Sequence, residues 1–331
     1  MATNKKKVLF TDSMGKAGVA LLATRGDIES IPFPNMSQDE TYRAILKKHG
    51  PVHATILGGT RFRKAELDAA GSMEVVARVG VGYDAIDIPA MTAAKVPVMI
   101  AGTANSPSVA EHAVSFMLTL ARKGPELTAL VKEGRWGDRL RPDMITTDLF
   151  EKTVLIIGFG RIGTRTAKRC LAMEMNVLVY DPYVSADKIK AAGCEPVSNL
   201  DAALPRADFV TIHCPKTPES VGMFAAKQMK AMKPTAYLVS TARGGIIDEA
   251  ALHAALTDGT LPAAALDVFD REPPDPANPL FKLPNLLASP HIAGVTAEAM
   301  DRMSIEAVKN VFAVFDGAPR KENAINPEIY G

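Results

Sequence analysis

Val154-Leu155-Ile156-Ile157-Gly158-Phe159-Gly160-Arg161-Ile162-Gly163 decides the reading of this chain, because an apolar run of strand type leads straight into G-x-G-x-x-G. Thr164 to Met173 follow with Ala167, Cys170 and Leu171 at helical spacing. The next apolar run, Asn176-Val177-Leu178-Val179-Tyr180, delivers Asp181, 23 positions past Gly158. Three glycines so spaced are a weak signal in a chain that has 24 of them, but strand, glycine turn, helix, strand and acid in that order are a strong one. The glycines let backbone approach a pyrophosphate, and the free N–H groups at the start of the helix hold it. A carboxylate at 181 accepts from adenine ribose hydroxyls and repels a 2′-phosphate, so the expected cofactor is NAD (NADH), with NADP disfavoured. The plainer reading of Asp181 is a loop acid before Pro182.

Outward from this unit the alternation continues on both sides. After it, Phe209–His213, Tyr237–Ser240, Ala263–Phe269 and Leu286–Ser289 read as strands, and before it stands Thr153–Ile157. An earlier series of strands covers Val8–Thr11, Ile28–Phe33, Ala54–Leu57, Val75–Val79 and Val96–Ile100, with helices over 15–23, 37–49 and 64–70. Ser106 to Ala121 form a longer helix with Pro107 in its first turn, ending at Gly124-Pro125. Lys132 to Asp148 is polar and irregular, and Ala297–Phe315 is a final amphipathic helix. Strands alternating with helices predict parallel sheets covered on both faces. The fold class is therefore α/β, with two parallel-sheet domains.

Composition narrows the partners. The chain has 331 residues, 47% hydrophobic and 23% charged, about two domains' worth. Thirty-eight basic against 37 acidic residues give a net charge of +1, without the field that gathers nucleic acid or anionic lipid. Met1 to Lys7 pass into Val8-Leu9-Phe10 without a secretory leader, and no span-length apolar run follows. Cys170, Cys194 and Cys214 are odd in number and lack CxxC spacing, which predicts reduced thiols in a cytoplasmic protein and no metal site.

Three further segments place polar groups at carboxyl ends of strands, where open α/β sheets bind ligands. They are Ser240-Thr241-Ala242-Arg243-Gly244-Gly245, Asp267-Val268-Phe269-Asp270-Arg271-Glu272-Pro273 and Ser289-Pro290-His291-Ile292-Ala293-Gly294. Singly, Arg243 reads as a surface charge, Glu272 as a turn acid and His291 as a satisfied histidine; together they supply a guanidinium, a carboxylate and an imidazole. With the loop from Gly80 to Asp87, the helix carrying Val109-Ala110-Glu111-His112 and the glycine motif, this set resembles the D-2-hydroxyacid dehydrogenase family over nearly the whole chain. Ser240, where an Asn is common, and Ala85, in place of the usual Asn, depart from the pattern.

The resemblance implies two Rossmann-like domains, the second a doubly wound NAD-binding domain (104–295) inserted into a flavodoxin-like substrate domain (1–103 and 296–331). It implies that His291 is the acid in carbonyl reduction and the base in oxidation, oriented by Glu272, and that Arg243 pairs with the substrate carboxylate. Such roles agree with the chemistry of these groups. Amides of Val81 and Gly82 bind the carboxylate's other oxygen on this view. Cofactor contacts fall to Val109, Gly158, Gly160, Arg161, Ile162, Gly163, Asp181 and Pro182. Around the nicotinamide they fall to His213, Cys214, Pro215, Thr241, Ala242, Arg243, Asp267, His291 and Gly294. Asp267 accepts from the carboxamide; Cys214 is an apolar wall, since no base accompanies it. Cleft closure is expected about hinges near 102–105 and 292–295.

The implied activity is hydride transfer between NAD and C2 of a small 2-hydroxy or 2-keto acid: glyoxylate, hydroxypyruvate or 3-phosphoglycerate. Arg61, Arg63 and Arg78 are the cations on offer for a phosphate. The lack of the carboxyl-terminal regulatory extension found in many phosphoglycerate dehydrogenases tilts the expectation toward glyoxylate or hydroxypyruvate. Two other readings stand beside it, an NAD-sensing corepressor-like protein on the same fold and a formate- or phosphite-type dehydrogenase. A homodimer through the NAD-binding domain is expected, with Trp136 at or near the interface or packed on its own subunit.

Overall fold

The computed structural model describes residues 5–331; the expectation of a leaderless start at residues 1–4 lies outside the described residues. Two compact units form, one from the chain up to Asn105 together with Val295–Gly331, the other from Ser106–Gly294. The breaks fall at 105/106 and 294/295, against expected breaks at 103/104 and 295/296; the first coincides with the start of a helix at Ser106, whose residues belong to the second unit.

In the first unit the chain runs β1 (Lys6–Thr11), α1 (Lys16–Leu22), β2 (Ile28–Phe33), α2 (Asp39–His49), β3 (Val52–Leu57), α3 (Lys64–Ala70), β4 (Gly71–Arg78), α4 (Ile88–Ala93) and β5 (Val98–Met99). The second unit holds α5 (Ser106–Arg122), α6 (Gly124–Lys132), β6 (Thr153–Ile157), α7 (Gly163–Ala172), β7 (Asn176–Tyr180), α8 (Ala186–Ala191) and β8 (Glu195–Pro196). It continues with α9 (Leu200–Ala203), β9 (Phe209–Ile212), α10 (Ala226–Ala231), β10 (Tyr237–Ser240), α11 (Glu249–Thr257), β11 (Ala264–Leu266) and β12 (Leu286–Ala288). The last helix, α12 (Ala297–Phe315), returns to the first unit.

The first sheet has the order β2-β1-β3-β4-β5, all parallel, which is the flavodoxin-like arrangement. Its strands are apolar at consecutive positions because both faces are covered. Val8, Phe10, Ala54, Ile56, Val75 and Ala77 meet Met303, Ala307 and Val311 of α12 on one face. Leu9, Leu57 and Val76 meet Tyr42 and Leu46 of α2 and Met91 of α4 on the other.

The second sheet, also parallel, has the order β12-β11-β10-β9-β6-β7-β8. Counted from β6 this is the doubly wound 3-2-1-4-5-6 order with a further strand at one edge. Val154 and Ile156 pack toward α5 and α7, Leu155 and Ile157 toward α10 and α11. Strand order reverses between β6 and β9, so the loops after those two strands diverge and leave a crevice at their carboxyl ends.

Local differences from the sequence reading have physical causes. Gly124-Pro125, read as a stop, also starts α6, since proline suits a first helical turn. The 132–148 stretch contains two short 3₁₀ turns, Trp136–Leu140 and Pro142–Met144. Strand β11 pairs only through Leu266, because from Asp267 onward the backbone turns away into the loop that carries the site.

Candidate active site

The glycine turn follows β6 and opens α7. Gly158 has φ +93°, and a Cβ there would lie 2.7 Å from the Cys214 nitrogen. A Cβ on Gly163 would sit 2.0 Å from the Gly158 carbonyl oxygen, so helix and strand close only on glycine. Gly160 differs: a Cβ there meets nothing within 4 Å. The protein's own packing needs no glycine at 160, whereas a pyrophosphate lying against the backbone does. Gly158 N–H donates to Tyr180 O (2.9 Å) and Phe159 N–H to Asp181 Oδ2 (2.7 Å).

Asp181 Oδ1 accepts from Tyr183 N–H at 2.9 Å. Asp181 therefore shapes the turn, and each of its carboxylate oxygens retains acceptor capacity for a further donor. Arg161 and Pro182 are exposed, and Ile162 is half-buried. A turn at the switch point, one unfilled glycine and a carboxylate after the second strand fit a dinucleotide of the NAD type.

On the other side of the switch point, β10 is followed by Thr241-Ala242-Arg243. Arg243 is half-buried, and its Nη1 donates to Ala242 O at 2.8 Å. A Cβ on Gly244 would lie 1.8 Å from Phe269 O, so the chain beside Arg243 presses against the loop after β11. That loop carries Glu272, whose Oε1 accepts from Phe269 N–H (3.0 Å) and whose Oε2 lies 2.6 Å from His291 Nδ1. Burial is the strongest single influence on the Glu272 carboxyl and opposes its ionisation. The His291 hydrogen bond, the Phe269 amide and the charges of His291 and Arg243 together outweigh it and hold the carboxyl below its usual range.

His291 stands at φ +51°, a left-handed backbone. It is fixed by Asp267, which is 1% exposed. Asp267 O accepts from His291 N–H (2.8 Å), Oδ1 from Ile292 N–H (2.8 Å) and Ser289 Oγ (2.5 Å), and Oδ2 from Ala293 N–H (2.9 Å). Asp267, assigned by resemblance to the carboxamide, is thus also the brace of the histidine loop.

Arg243, Glu272 and His291 are brought together. His213 projects its imidazole into the sheet, with Nε2 3.0 Å from Thr211 Oγ1 and Nδ1 3.5 Å from Thr241 Oγ1, and burial pushes its pKa down to about 3. Thr241 and Ala242 are likewise buried. Burial lifts Cys214 to about 11, which removes it as a nucleophile near neutral pH. Pro215 is exposed, Gly294 half-buried, and Val109 buried in the first turn of α5. Val81 and Gly82, half-buried in the first unit, follow β4, whose continuation is tied by Val79 N–H to Leu57 O (2.9 Å) and by Ala101 N–H to Gly80 O (2.8 Å).

Ser240 Oγ is buried without a hydrogen-bond partner. Among the described residues, no three His, Cys, Asp or Glu side chains gather to hold a metal, and no helix is long and apolar enough to cross a membrane. Sequence reasoning passed over His112 and Ser289 as participants. His112 Nε2 lies 3.0 Å from Ser289 Oγ, and only the fold brings residues so distant in sequence together.

Residues 114–293 match the family model of the D-isomer specific 2-hydroxyacid dehydrogenase NAD binding domain. The D-3-phosphoglycerate dehydrogenase of Archaeoglobus fulgidus is 38% identical over 320 residues, 97% of this chain but 59% of that protein, so the chain spans about three fifths of that curated relative's length. A crystal structure of a Thermus thermophilus protein is 30% identical with a TM-score of 0.85, covering 96% of this chain and 99% of that one. The D-lactate dehydrogenase of Aquifex aeolicus, solved with NAD and lactic acid, is 28% identical with a TM-score of 0.82 over 96% and 99% of the two chains. Glycine turn, imidazole–carboxylate pair and neighbouring guanidinium thus occur in a chain that belongs to the D-isomer specific 2-hydroxyacid dehydrogenase family.

Proposed function

We propose that this protein is an NAD-dependent oxidoreductase acting at C2 of a small 2-hydroxy or 2-keto acid. The observation that carries the reading is the 2.6 Å His291–Glu272 pair, with Arg243 close enough to act on the same carboxylate. Bound NADH supplies the hydride. Glu272, ionised near neutral pH, accepts from Nδ1–H and so fixes the imidazole's tautomer and orientation. Nε2 is left to give a proton to the carbonyl oxygen in reduction and to take one from the hydroxyl in oxidation. Arg243, always charged, pairs with the planar carboxylate of the acid. Asp181 selects NAD over NADP by repelling a 2′-phosphate.

Steady-state NADH oxidation against a panel of 2-keto acids tests the assignment. His291→Ala is expected to lower turnover by about 10²- to 10⁴-fold, and Arg243→Ala by about 10²- to 10³-fold, each with NADH affinity little changed. Wild-type rates in either variant refute the roles. No turnover of any acid, with NADH binding intact, favours an NAD-sensing binding protein instead.

A phosphorylated acid is the second reading, favoured by the phosphoglycerate dehydrogenase relatives and by Arg61, exposed in the loop after β3, with Arg78 at the end of β4. Arg61→Ala is then expected to raise KM for 3-phosphoglycerate and leave that for glyoxylate unchanged. A second copy of the chain is the proposed partner. Val131, Trp136, Leu140, Ile145 and Phe150, all more than half exposed along one stretch of the second unit, support an apolar interface there. Three free thiols support a reducing compartment, the cytoplasm.

A further inference from the structure

His112 lies on α5, and its ring meets Phe116 edge-on, with centroids 4.4 Å apart. Burial lowers its pKa against the pull of Asp267, which leaves the imidazole neutral near pH 7 with a single N–H. The direct distance from Nε2 to Asp267 Oδ1 is 3.9 Å, too long for a hydrogen bond. Ser289 Oγ bridges the gap, 3.0 Å from His112 Nε2 and 2.5 Å from Asp267 Oδ1.

The direction of the chain follows from donor counting. A carboxylate only accepts, so the one Ser289 proton points at Asp267, and Ser289 must accept from His112. The neutral imidazole is therefore the Nε2–H tautomer. At the far end, the same Asp267 side chain accepts the Ile292 and Ala293 N–H groups, and its carbonyl accepts that of His291. Left-handed backbone at a residue with a Cβ persists only where its surroundings over-determine it.

We infer that His112 is a positioning residue: through Ser289 and Asp267 it holds the left-handed turn at His291 and thereby the aim of the His291 imidazole at Glu272. Asp267 presents two oxygens to three donors, and rotation of its carboxylate would detach Ile292 or Ala293. The His112–Ser289 pair holds one oxygen and so fixes that rotation. The kinetic consequence rests on the dehydrogenase reading; the structural consequence does not.

The experiment compares His112→Leu, His112→Gln and Ser289→Ala by two measurements. In ¹⁵N-histidine spectra the wild type is expected to show His112 protonated at Nε2, together with a low-field proton on His291 Nδ1 from the bond to Glu272. Leu at 112 removes the donor, so the His291 low-field proton is expected to broaden or disappear, and kcat to fall about tenfold with KM for NADH unchanged. Gln carries an N–H donor at similar reach and is expected to restore both to within about threefold. Ser289→Ala, a smaller change that tests the link if His112→Leu folds poorly, is expected to behave as His112→Leu does.

An Nδ1–H tautomer at His112 overturns the inference. So does a His291 low-field proton that survives in both His112→Leu and Ser289→Ala, or a Gln variant no better than Leu. If no acid is turned over by the wild type, the spectra alone decide, and failure of the dehydrogenase reading stays distinct from failure of this one.

Discussion

His213 is expected to make the second unit sensitive to acid by a calculable amount. His213 is 9% exposed, its imidazole lies between Thr211 and Thr241, and burial holds it neutral down to about pH 3. In the unfolded chain the same group takes up a proton as pH falls through about 6.5. Between those values the unfolded state binds the extra proton. The neutral-state advantage is therefore complete above pH 6.5 and is lost progressively as pH falls toward about 3.

From pH 7 to pH 5 the loss is RT ln of the unfolded chain's protonation factor, about 2 kcal/mol. It is insensitive to the exact folded value so long as that lies well below 5. The assay is hydrogen exchange of the β9 and β10 amides at both pH values, corrected for intrinsic rates, in wild type and His213→Gln. Because Gln does not titrate, the wild type is expected to lose about 2 kcal/mol more than the variant over this interval. Equal pH dependence in the two proteins, or a His213 ring resonance titrating near 6.5, refutes the reasoning.

Other outcomes follow from the same geometry. Gly160→Ala is expected to keep the wild-type Tm while weakening NADH binding at least tenfold, whereas Gly163→Ala lowers Tm because its Cβ overlaps the Gly158 carbonyl; thermal melts and fluorescence titration separate the two. Asp181→Ala is expected to weaken NAD and raise the relative use of NADP, and also to loosen the turn, since it removes the acceptor for Phe159 N–H; an unchanged NAD/NADP ratio counts against its role. Glu272→Gln is expected to lower kcat at neutral pH. In the wild type, the depressed Glu272 pKa keeps the carboxylate ionised as pH falls to the ordinary carboxyl range, and its support is lost only below that range. A pH–rate profile checks this, and a Gln variant that matches the wild-type kcat at both pH 6 and pH 8 contradicts the assignment.

Much of this architecture was legible in one dimension because it rests on local chemistry. Alternating apolar runs, G-x-G-x-x-G after a strand and an acid after the next strand each express a backbone or burial requirement within some thirty residues, and these alone specify parallel sheets with a dinucleotide turn. The short helices α8 to α11 left no comparable trace, since segments of four to nine residues take their helicity from the sheet they cover.

Direction of side chains at the site required three dimensions. His213 and His291 both follow strands, yet one is buried as a neutral core group and the other is half-exposed against a carboxylate; that choice depends on which neighbours the strand order supplies. Asp267, Ser289 and His112 are separated by up to 177 positions, and no pattern along the chain announces a hydrogen-bonded path that exists only when α5 lies beside the ends of β11 and β12. Local propensity acts over a few bonds and writes itself into residue order, whereas pairing across a folded interior depends on distances that only chain packing creates.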